Sequence, residues 1–211
     1  MNSEHDIERW LSWVDELSDK DYVVIDNFLT DNLYQKVRQY YLTQLPYFTQ
    51  AGIGDLDEKV IKKHVRGDQT YWLKREEDSA IEAFWQVVDQ LMFVFNRYCF
   101  LSLSDYEFHF ANYPPGARYL RHLDQFQNNT NRIISVIIYL NENWQSGDGG
   151  ELKIYRDNAN DLIIEPYGGR CVMFKSAEVH HSVLESNKNR FSLTGWLLYQ
   201  PAKVGQLLAR T

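Results

Sequence analysis

The residues most able to do chemistry together are His122 and Asp124, two positions apart, and a later imidazole, His180 or His181, with Arg190 close behind it. A β-strand places residues i and i+2 on one face, so His122 and Asp124 can aim an imidazole nitrogen and a carboxylate oxygen at a common point. One further imidazole would complete a two-histidine, one-carboxylate set. Such a set fills three adjacent corners of an octahedron and leaves three open, an arrangement suited to non-haem iron(II). His-x-Asp also arises by chance, and a lone histidine is more often a packed or solvated side chain than a ligand, so the surrounding elements carry weight.

Those elements read as strands. Arg170 to Phe174 is strand-like, Lys175 to Glu178 forms a turn, and Val179-His180-His181-Ser182-Val183 is a second strand-like run. After a short polar loop, alternation in Arg190 to Trp196 puts Arg190, Ser192, Thr194 and Trp196 on one face. An arginine on an inward face is costly unless it meets an anion, and its planar fork matches a carboxylate bidentately. A dicarboxylate co-substrate would supply that partner.

Helices come first along the chain. Ile7, Trp10, Leu11, Val14 and Leu17 fall at helical spacing, and Asp21 to Ile25 then reads as a strand. Thr30 is a candidate N-cap for a second helix that carries Leu33, Val37, Tyr40 and Tyr41 inward and ends near Pro46. Ser79 with Glu82 suggests a capping box for a third helix running to about Tyr98, with Ile81, Phe84, Trp85, Val88 and Leu91 on its core face. From Tyr106 the signals are short strands at close spacing: 106–113, 119–124, 132–140, 151–155, 162–165, 170–174, 179–183 and 191–200. The class expected is α+β and mainly β, with two packed sheets and N-terminal helices buttressing one of them. Gly147-Asp148-Gly149-Gly150 sits between strand-like runs without the Gly-Lys-Ser/Thr ending of a phosphate loop, so a hairpin turn is expected there.

With 211 residues the chain can bury a proper core, and the length favours one domain over 1–211, mainly helical in 1–100 and strand-rich in 101–200. No apolar run is long enough to span a bilayer, and Met1-Asn2-Ser3-Glu4-His5-Asp6 has neither a basic nor an apolar leader region, so a cytoplasmic location with no membrane partner is expected. Only Cys99 and Cys171 occur, each in an apolar stretch, as suits reduced thiols. The formal charge of −7 disfavours a nucleic-acid partner, because phosphate binding needs a basic face.

Several blocks stand in order between Arg66 and Trp196. They are Arg66-Gly67-Asp68 with Trp72, Asn112-Tyr113-Pro114-Pro115-Gly116, and Tyr119-Leu120-Arg121-His122-Leu123-Asp124. Further on come Ile138-Tyr139-Leu140-Asn141 with Trp144, Gly149-Gly150-Glu151-Leu152, and the run from His181 to Trp196. Together they resemble the Fe(II)- and 2-oxoglutarate-dependent dioxygenases, and within them the hypoxia-inducible-factor prolyl hydroxylases and their bacterial relatives. Residues before Arg66 carry no matching motif. The loop from Tyr113 to Tyr119 is one residue shorter than in the closest animal relatives and carries a Pro-Pro pair, and Ser182 follows His181 where the family often has an acidic or other polar residue.

The resemblance implies a double-stranded β-helix, a jelly-roll or cupin-like core, with iron between the sheets. It implies His122, Asp124 and His181 as metal ligands, since His181 rather than His180 lies at the family distance from Arg190. It assigns Arg190, Tyr139, Thr194 and Tyr113 to 2-oxoglutarate, Tyr119, Arg132 and Trp196 to a proline-binding pocket shared with Tyr113, and Arg66, Asp68 and Trp72 to its entrance. The implied cofactors are Fe(II), 2-oxoglutarate and O2, with ascorbate as an accessory ligand. The implied reaction is hydroxylation of a prolyl residue in a protein or peptide, of the prolyl 4-hydroxylase type, coupled to decarboxylation of 2-oxoglutarate. In a bacterial source, elongation factor Tu is a candidate target. The charged stretch from Asp55 to Arg66, with Lys59, Lys62, Lys63 and His64 near its end, reads as a solvated loop or, by resemblance, as one that closes over a peptide. Two other readings are an oxygenase acting on a small molecule or nucleic acid, and a non-catalytic iron-binding sensor module. A nucleic-acid repair relative would carry a further arginine where this chain has Trp196.

Overall fold

The computed structural model describes residues 4–52, 65–125, 130–157 and 159–199. The charged stretch expected to close over a peptide lies, up to His64, outside the described residues. Among the described residues three α-helices, α1 (Glu4–Lys20), α2 (Asp31–Gln44) and α3 (Glu82–Cys99), accompany eleven strands. The strands are β1 (Tyr22–Ile25), β2 (Thr49–Gln50), β3 (Gln69–Trp72), β4 (Asp105–Tyr113), β5 (Tyr119–His122) and β6 (Arg132–Tyr139). They continue as β7 (Leu152–Ile154), β8 (Leu162–Ile164), β9 (Cys171–Lys175), β10 (His181–Val183) and β11 (Arg190–Leu198). A seven-stranded sheet has the order β1-β9-β6-β11-β4-β3-β2, and a four-stranded sheet the order β5-β10-β7-β8, with antiparallel pairing throughout. The architecture is a double-stranded β-helix. Among the described residues no helix is long and apolar enough to cross a membrane.

Strand alternation sorts the large sheet into two unlike faces. Val23 and Ile25 of β1, Phe108 and Phe110 of β4, Ile134, Val136 and Ile138 of β6, Cys171 and Met173 of β9, and Leu193 and Leu197 of β11 pack against the helices. There they meet Val14 and Leu17 of α1, Val37 and Tyr41 of α2, and Phe84, Trp85, Val88, Leu91, Val94 and Phe95 of α3. The opposite face turns toward the small sheet and holds a much smaller apolar cluster, Ile137, Tyr139, Val172 and Phe174 with Leu152, Ile154, Ile164 and Val179. Buried polar side chains share it, among them Ser135, Arg190 and Ser192. Burial of polar groups is costly without partners, so this inner face marks where the chain sacrifices packing for something else.

Helix boundaries show which local signals operate. Thr30 is the N-cap of α2, accepting from the Leu33 N–H at 3.4 Å. The expected capping box at Ser79 and Glu82 does not form: Ser79–Ile81 is a 3-10 turn, α3 begins at Glu82 without a side-chain cap, and Glu82 pairs with Arg75. The buried neighbour Asp78 holds this junction instead, accepting from the Tyr40 hydroxyl at 2.6 Å, the Tyr71 hydroxyl at 3.1 Å and the Lys74 N–H at 2.6 Å. Asp78→Ala strands all three donors and is expected to lower unfolding free energy by about 3 kcal/mol. Exposed Ser79→Ala is expected to stay within about 0.5 kcal/mol of wild type. Denaturant titrations showing equal losses in the two variants would restore the capping box.

Two further expectations are corrected. The turn at Gly147 to Gly150 is not a hairpin, because β6 and β7, which it joins, belong to different sheets. It instead lies against the segment before β11, with an isolated bridge between Gly149 and Ser186. A Cβ on Gly149 would come within 2.3 Å of the Glu185 carbonyl oxygen, so only glycine allows this approach. The strand expected over 119–124 stops at His122, the one over 179–183 starts at His181, and β2 and β3 add an edge that the strand pattern did not suggest.

Candidate active site

His122, Asp124 and His181 converge between the two sheets, each offering one ligand atom, all within 4.8 Å of one another. Asp124 Oδ1 lies 3.5 Å from His122 Nε2 and 3.7 Å from His181 Nε2. Asp124 is not on a strand as expected; it sits in a bend just past β5. The histidines meet because β5 and β10 pair at His122 and His181. Between that pair and the next, Tyr119 with Val183, β5 has two residues where β10 has one, which is a β-bulge. The bulge turns Tyr119 and His122, three positions apart, toward the same side, and their rings stack with centroids 3.6 Å apart.

Hydrogen bonds fix which ring nitrogen faces the centre. His122 Nδ1 lies 2.7 Å from the Leu120 carbonyl oxygen and His181 Nδ1 lies 3.0 Å from that of Val179. A carbonyl only accepts, so each Nδ1 carries the proton, and each Nε2 lone pair is free for a metal. Asp124 Oδ2 accepts from Ser135 Oγ at 2.6 Å, and Ser135 Oγ is 2.8 Å from Ser176 Oγ. Burial opposes charge on Asp124, but the two histidines and the Ser135 hydroxyl outweigh it and hold the carboxyl far below the usual carboxylate range. Burial, reinforced by His122, pushes His181 down to about 4 from its ordinary 6.5. The trio thus offers one carboxylate oxygen and two Nε2 atoms, a donor set that fits iron(II).

The same shift predicts a stability change in the metal-free protein. Between pH 6.5 and 4 the unfolded chain takes up a proton that buried His181 refuses, so this contribution is full above 6.5 and lost as pH falls to 4. The loss is expected to be on the order of 3 kcal/mol, and urea unfolding at pH 7, 5.5 and 4 measures it. An unchanged midpoint across that window would contradict the burial of His181.

A second constellation surrounds Arg190, which is buried at the start of β11. Its Nε donates to the Gly150 carbonyl at 2.7 Å, and its guanidinium carbon lies 5.0 Å from the Tyr113 ring centroid and 4.9 Å from that of Tyr139. Gly150 is at φ +68°, and a Cβ there would meet Arg190 Cδ at 2.9 Å, so the glycine leaves room for the arginine stem. No carboxylate of the described residues pairs with Arg190. The buried Tyr139 hydroxyl likewise has no partner among them. Burial raises the phenols of Tyr113 and Tyr139, so both remain O–H donors. An unpaired guanidinium fork beside an orphaned phenol fits one end of a dicarboxylate. Thr194, half-buried on the same face, has its hydroxyl 3.2 Å from that of Ser192.

The remaining expected residues form two groups. Arg132 Nε donates to Glu107 Oε1 at 2.6 Å and Nη1 to the Asp124 carbonyl at 3.3 Å, while its guanidinium lies 3.6 Å from the Trp196 ring centroid. Trp196 stacks on His109 at 5.4 Å, and half-exposed Trp72 packs on the same imidazole at 4.8 Å. Arg66 and Asp68 form a two-pronged ion pair of 2.7 and 2.9 Å, with Asp68 wholly buried. His180 is outside the converging trio. The sequence reading missed Glu107, His109, Ser135, Ser176 and the part played by Gly150. His109 shares the inner face with Tyr113 by strand alternation, and Ser135 is a small hydroxyl residue within the otherwise apolar run Ile133 to Ile138; both signals were present in the sequence.

Comparison with known proteins adds to this geometry. The profile of the 2OG-Fe(II) oxygenase superfamily matches residues 108–198. The human prolyl hydroxylase EGLN3 is 30% identical over 191 residues, which cover 83% of this chain and 77% of that protein. The chain belongs to the 2OG-Fe(II) oxygenase superfamily. Fe(II), 2-oxoglutarate and O2 are therefore the cofactor and co-substrates of this oxygenase, and the two constellations fit the first two. A crystal structure of a Pseudomonas putida prolyl-4-hydroxylase superposes with a TM-score of 0.82 at 34% identity, covering 91% of this chain and 100% of that one. A Trichoplax adhaerens prolyl hydroxylase, solved with a peptide of the hypoxia-inducible factor oxygen degradation domain, also gives 0.82, at 26% identity and 94% coverage of each chain.

Proposed function

We propose that this oxygenase is a protein prolyl hydroxylase of the prolyl 4-hydroxylase type, acting on proline in a flexible protein segment. The observation that carries the reading is the likeness to the Pseudomonas putida prolyl-4-hydroxylase over that enzyme's whole length. The wall of Trp72, His109 and Trp196 rings with Arg132 laid over Trp196 supports it, because an apolar, ring-faced surface suits a pyrrolidine.

In this reading His122, Asp124 and His181 hold the metal through two Nε2 atoms and one carboxylate oxygen, and Ser135 fixes the orientation of that carboxylate. Arg190 pairs with the far carboxylate of 2-oxoglutarate, Tyr139 donates its O–H to it, and Thr194 and Tyr113 complete the co-substrate pocket. Iron(II) with 2-oxoglutarate and O2 supplies the oxidation, in which 2-oxoglutarate becomes succinate and carbon dioxide and one oxygen atom enters the substrate C–H bond. Tyr119, Arg132 and Trp196 hold the proline ring, Arg66, Asp68 and Trp72 shape the way in, and the buried inner face excludes water. Residues 1–211 act as a single dioxygenase domain, the location is cytoplasmic, and ascorbate serves as an accessory reductant. Elongation factor Tu is the target to try first if the source is bacterial.

The test is incubation with Fe(II), 2-oxoglutarate and cell extract, followed by mass spectrometry for one added oxygen on proline. Trp196→Ala and Arg132→Ala are expected to lose prolyl hydroxylation while retaining slow decarboxylation of 2-oxoglutarate without target, because misplacing the reacting carbon costs on the order of a hundredfold. Oxygen added to nucleobases or a small metabolite, with none on proline, would overturn the prolyl reading and leave the oxygenase intact.

A further inference from the structure

The two histidines of the trio are held by different means. His181 is enclosed, with Phe174 at 4.6 Å between ring centroids and its side chain 4% exposed. His122 sits at the rim with 16% of its side chain exposed, and outside the trio its ring is met by the Leu120 carbonyl and the flat face of Tyr119. Tyr119 is in turn fixed from the other direction. The segment before β3 pairs with β5: Arg66 bridges Tyr119, Gly67 N–H donates to the Arg118 carbonyl at 3.0 Å, and Leu120 N–H to that of Val65 at 3.0 Å. The Arg66 guanidinium lies over the Tyr119 ring, 4.9 Å from its centroid. Arg66 cannot swing away, because both prongs of its fork are taken by wholly buried Asp68.

We infer that Asp68, Arg66 and Tyr119 form a clamp that sets the His122 ring and thereby governs how long the metal stays bound. This rests on His122, Asp124 and His181 being the metal ligands, and it gives Arg66 and Asp68 a positioning role separate from the substrate entrance. The order of contact is ion pair, guanidinium over phenol, phenol stacked on imidazole, imidazole to metal. Groups that orient a ligand from one layer out typically govern metal affinity by about tenfold to a hundredfold.

The test uses Mn(II) as the probe, in the absence of 2-oxoglutarate, with free Mn(II) read by electron paramagnetic resonance and release timed after addition of a chelator. Tyr119→Leu removes the ring and Tyr119→Phe keeps it. Arg66→Met combined with Asp68→Leu removes the ion pair without leaving a buried charge unpaired. Tyr119→Leu and the double variant are expected to bind Mn(II) about tenfold or more weakly, with faster release, while Tyr119→Phe keeps wild-type affinity. Thermal midpoints of the metal-free proteins are expected to change little. Unchanged Mn(II) affinity in Tyr119→Leu and the double variant would overturn the clamp, as would equal losses in Tyr119→Phe and Tyr119→Leu. Wild-type protein that binds no Mn(II), or His122→Ala that binds it fully, would instead overturn the metal site itself.

Discussion

Replacement of His122, Asp124 or His181 by alanine is expected to abolish iron-dependent turnover of 2-oxoglutarate, whereas His180→Ala retains most of it. Each of the three offers an atom to one common point, and His180 does not. Loss of a ligand atom exceeds the loss of a group that merely orients one, so metal affinity is expected to fall by more than about a hundredfold in each variant. Asp124→Ala also removes the carboxylate that accepts from the buried Ser135 hydroxyl, leaving Ser176 Oγ as that hydroxyl's remaining partner. Succinate formation and metal content measured on the purified variants distinguish the cases. Full activity in His181→Ala with loss in His180→Ala would mean that the other imidazole binds iron.

Arg190→Ala is the second large effect. Arg190 has one hydrogen bond to Gly150, no carboxylate partner among the described residues, and the orphaned Tyr139 hydroxyl beside it. Removing it leaves the far carboxylate of 2-oxoglutarate desolvated and unpaired, a cost of about 2–5 kcal/mol. The affinity for 2-oxoglutarate is then expected to drop by roughly thirtyfold to several thousandfold, with metal binding kept. Calorimetric titration that finds the wild-type affinity in this variant would remove Arg190 from the co-substrate site.

What could be read from the sequence divides along physical lines. β11 was legible because it is paired on both sides through nearly its whole length, so its side chains follow strict alternation and Arg190, Ser192, Thr194 and Trp196 share a face. The three helices were legible from their apolar stripes, and their place against one face of a sheet followed. His122 and Asp124 were correctly seen as able to meet, but for an incomplete reason: the strand ends at His122, and a bend brings Asp124 round. A bulge is decided by the partner strand, so no periodicity within β5 announces it. The Gly-Gly turn was misread because hairpins and crossings between sheets use the same residues, and only the partner, here the segment at Ser186, tells them apart. Asp78 outcompeted Ser79 because two distant phenols, Tyr40 and Tyr71, converge on it, which local capping rules do not consider.

The extra residue in β5 also sets how this segment can change over evolutionary time. Leu120 and Arg121, the two residues opposite the single Ser182, are both exposed; the Leu120 side chain is open to substitution, while the Arg121 guanidinium lies over the Tyr155 ring, 4.5 Å from its centroid. Their number makes the bulge. Deleting either one would remove the bulge and its local bend, leaving Tyr119 and His122 two positions apart on one face of a regular strand. Homologous chains that keep the bulge are therefore expected to keep this interval, and a chain one residue shorter there is expected to pair regularly with the strand that carries the second histidine.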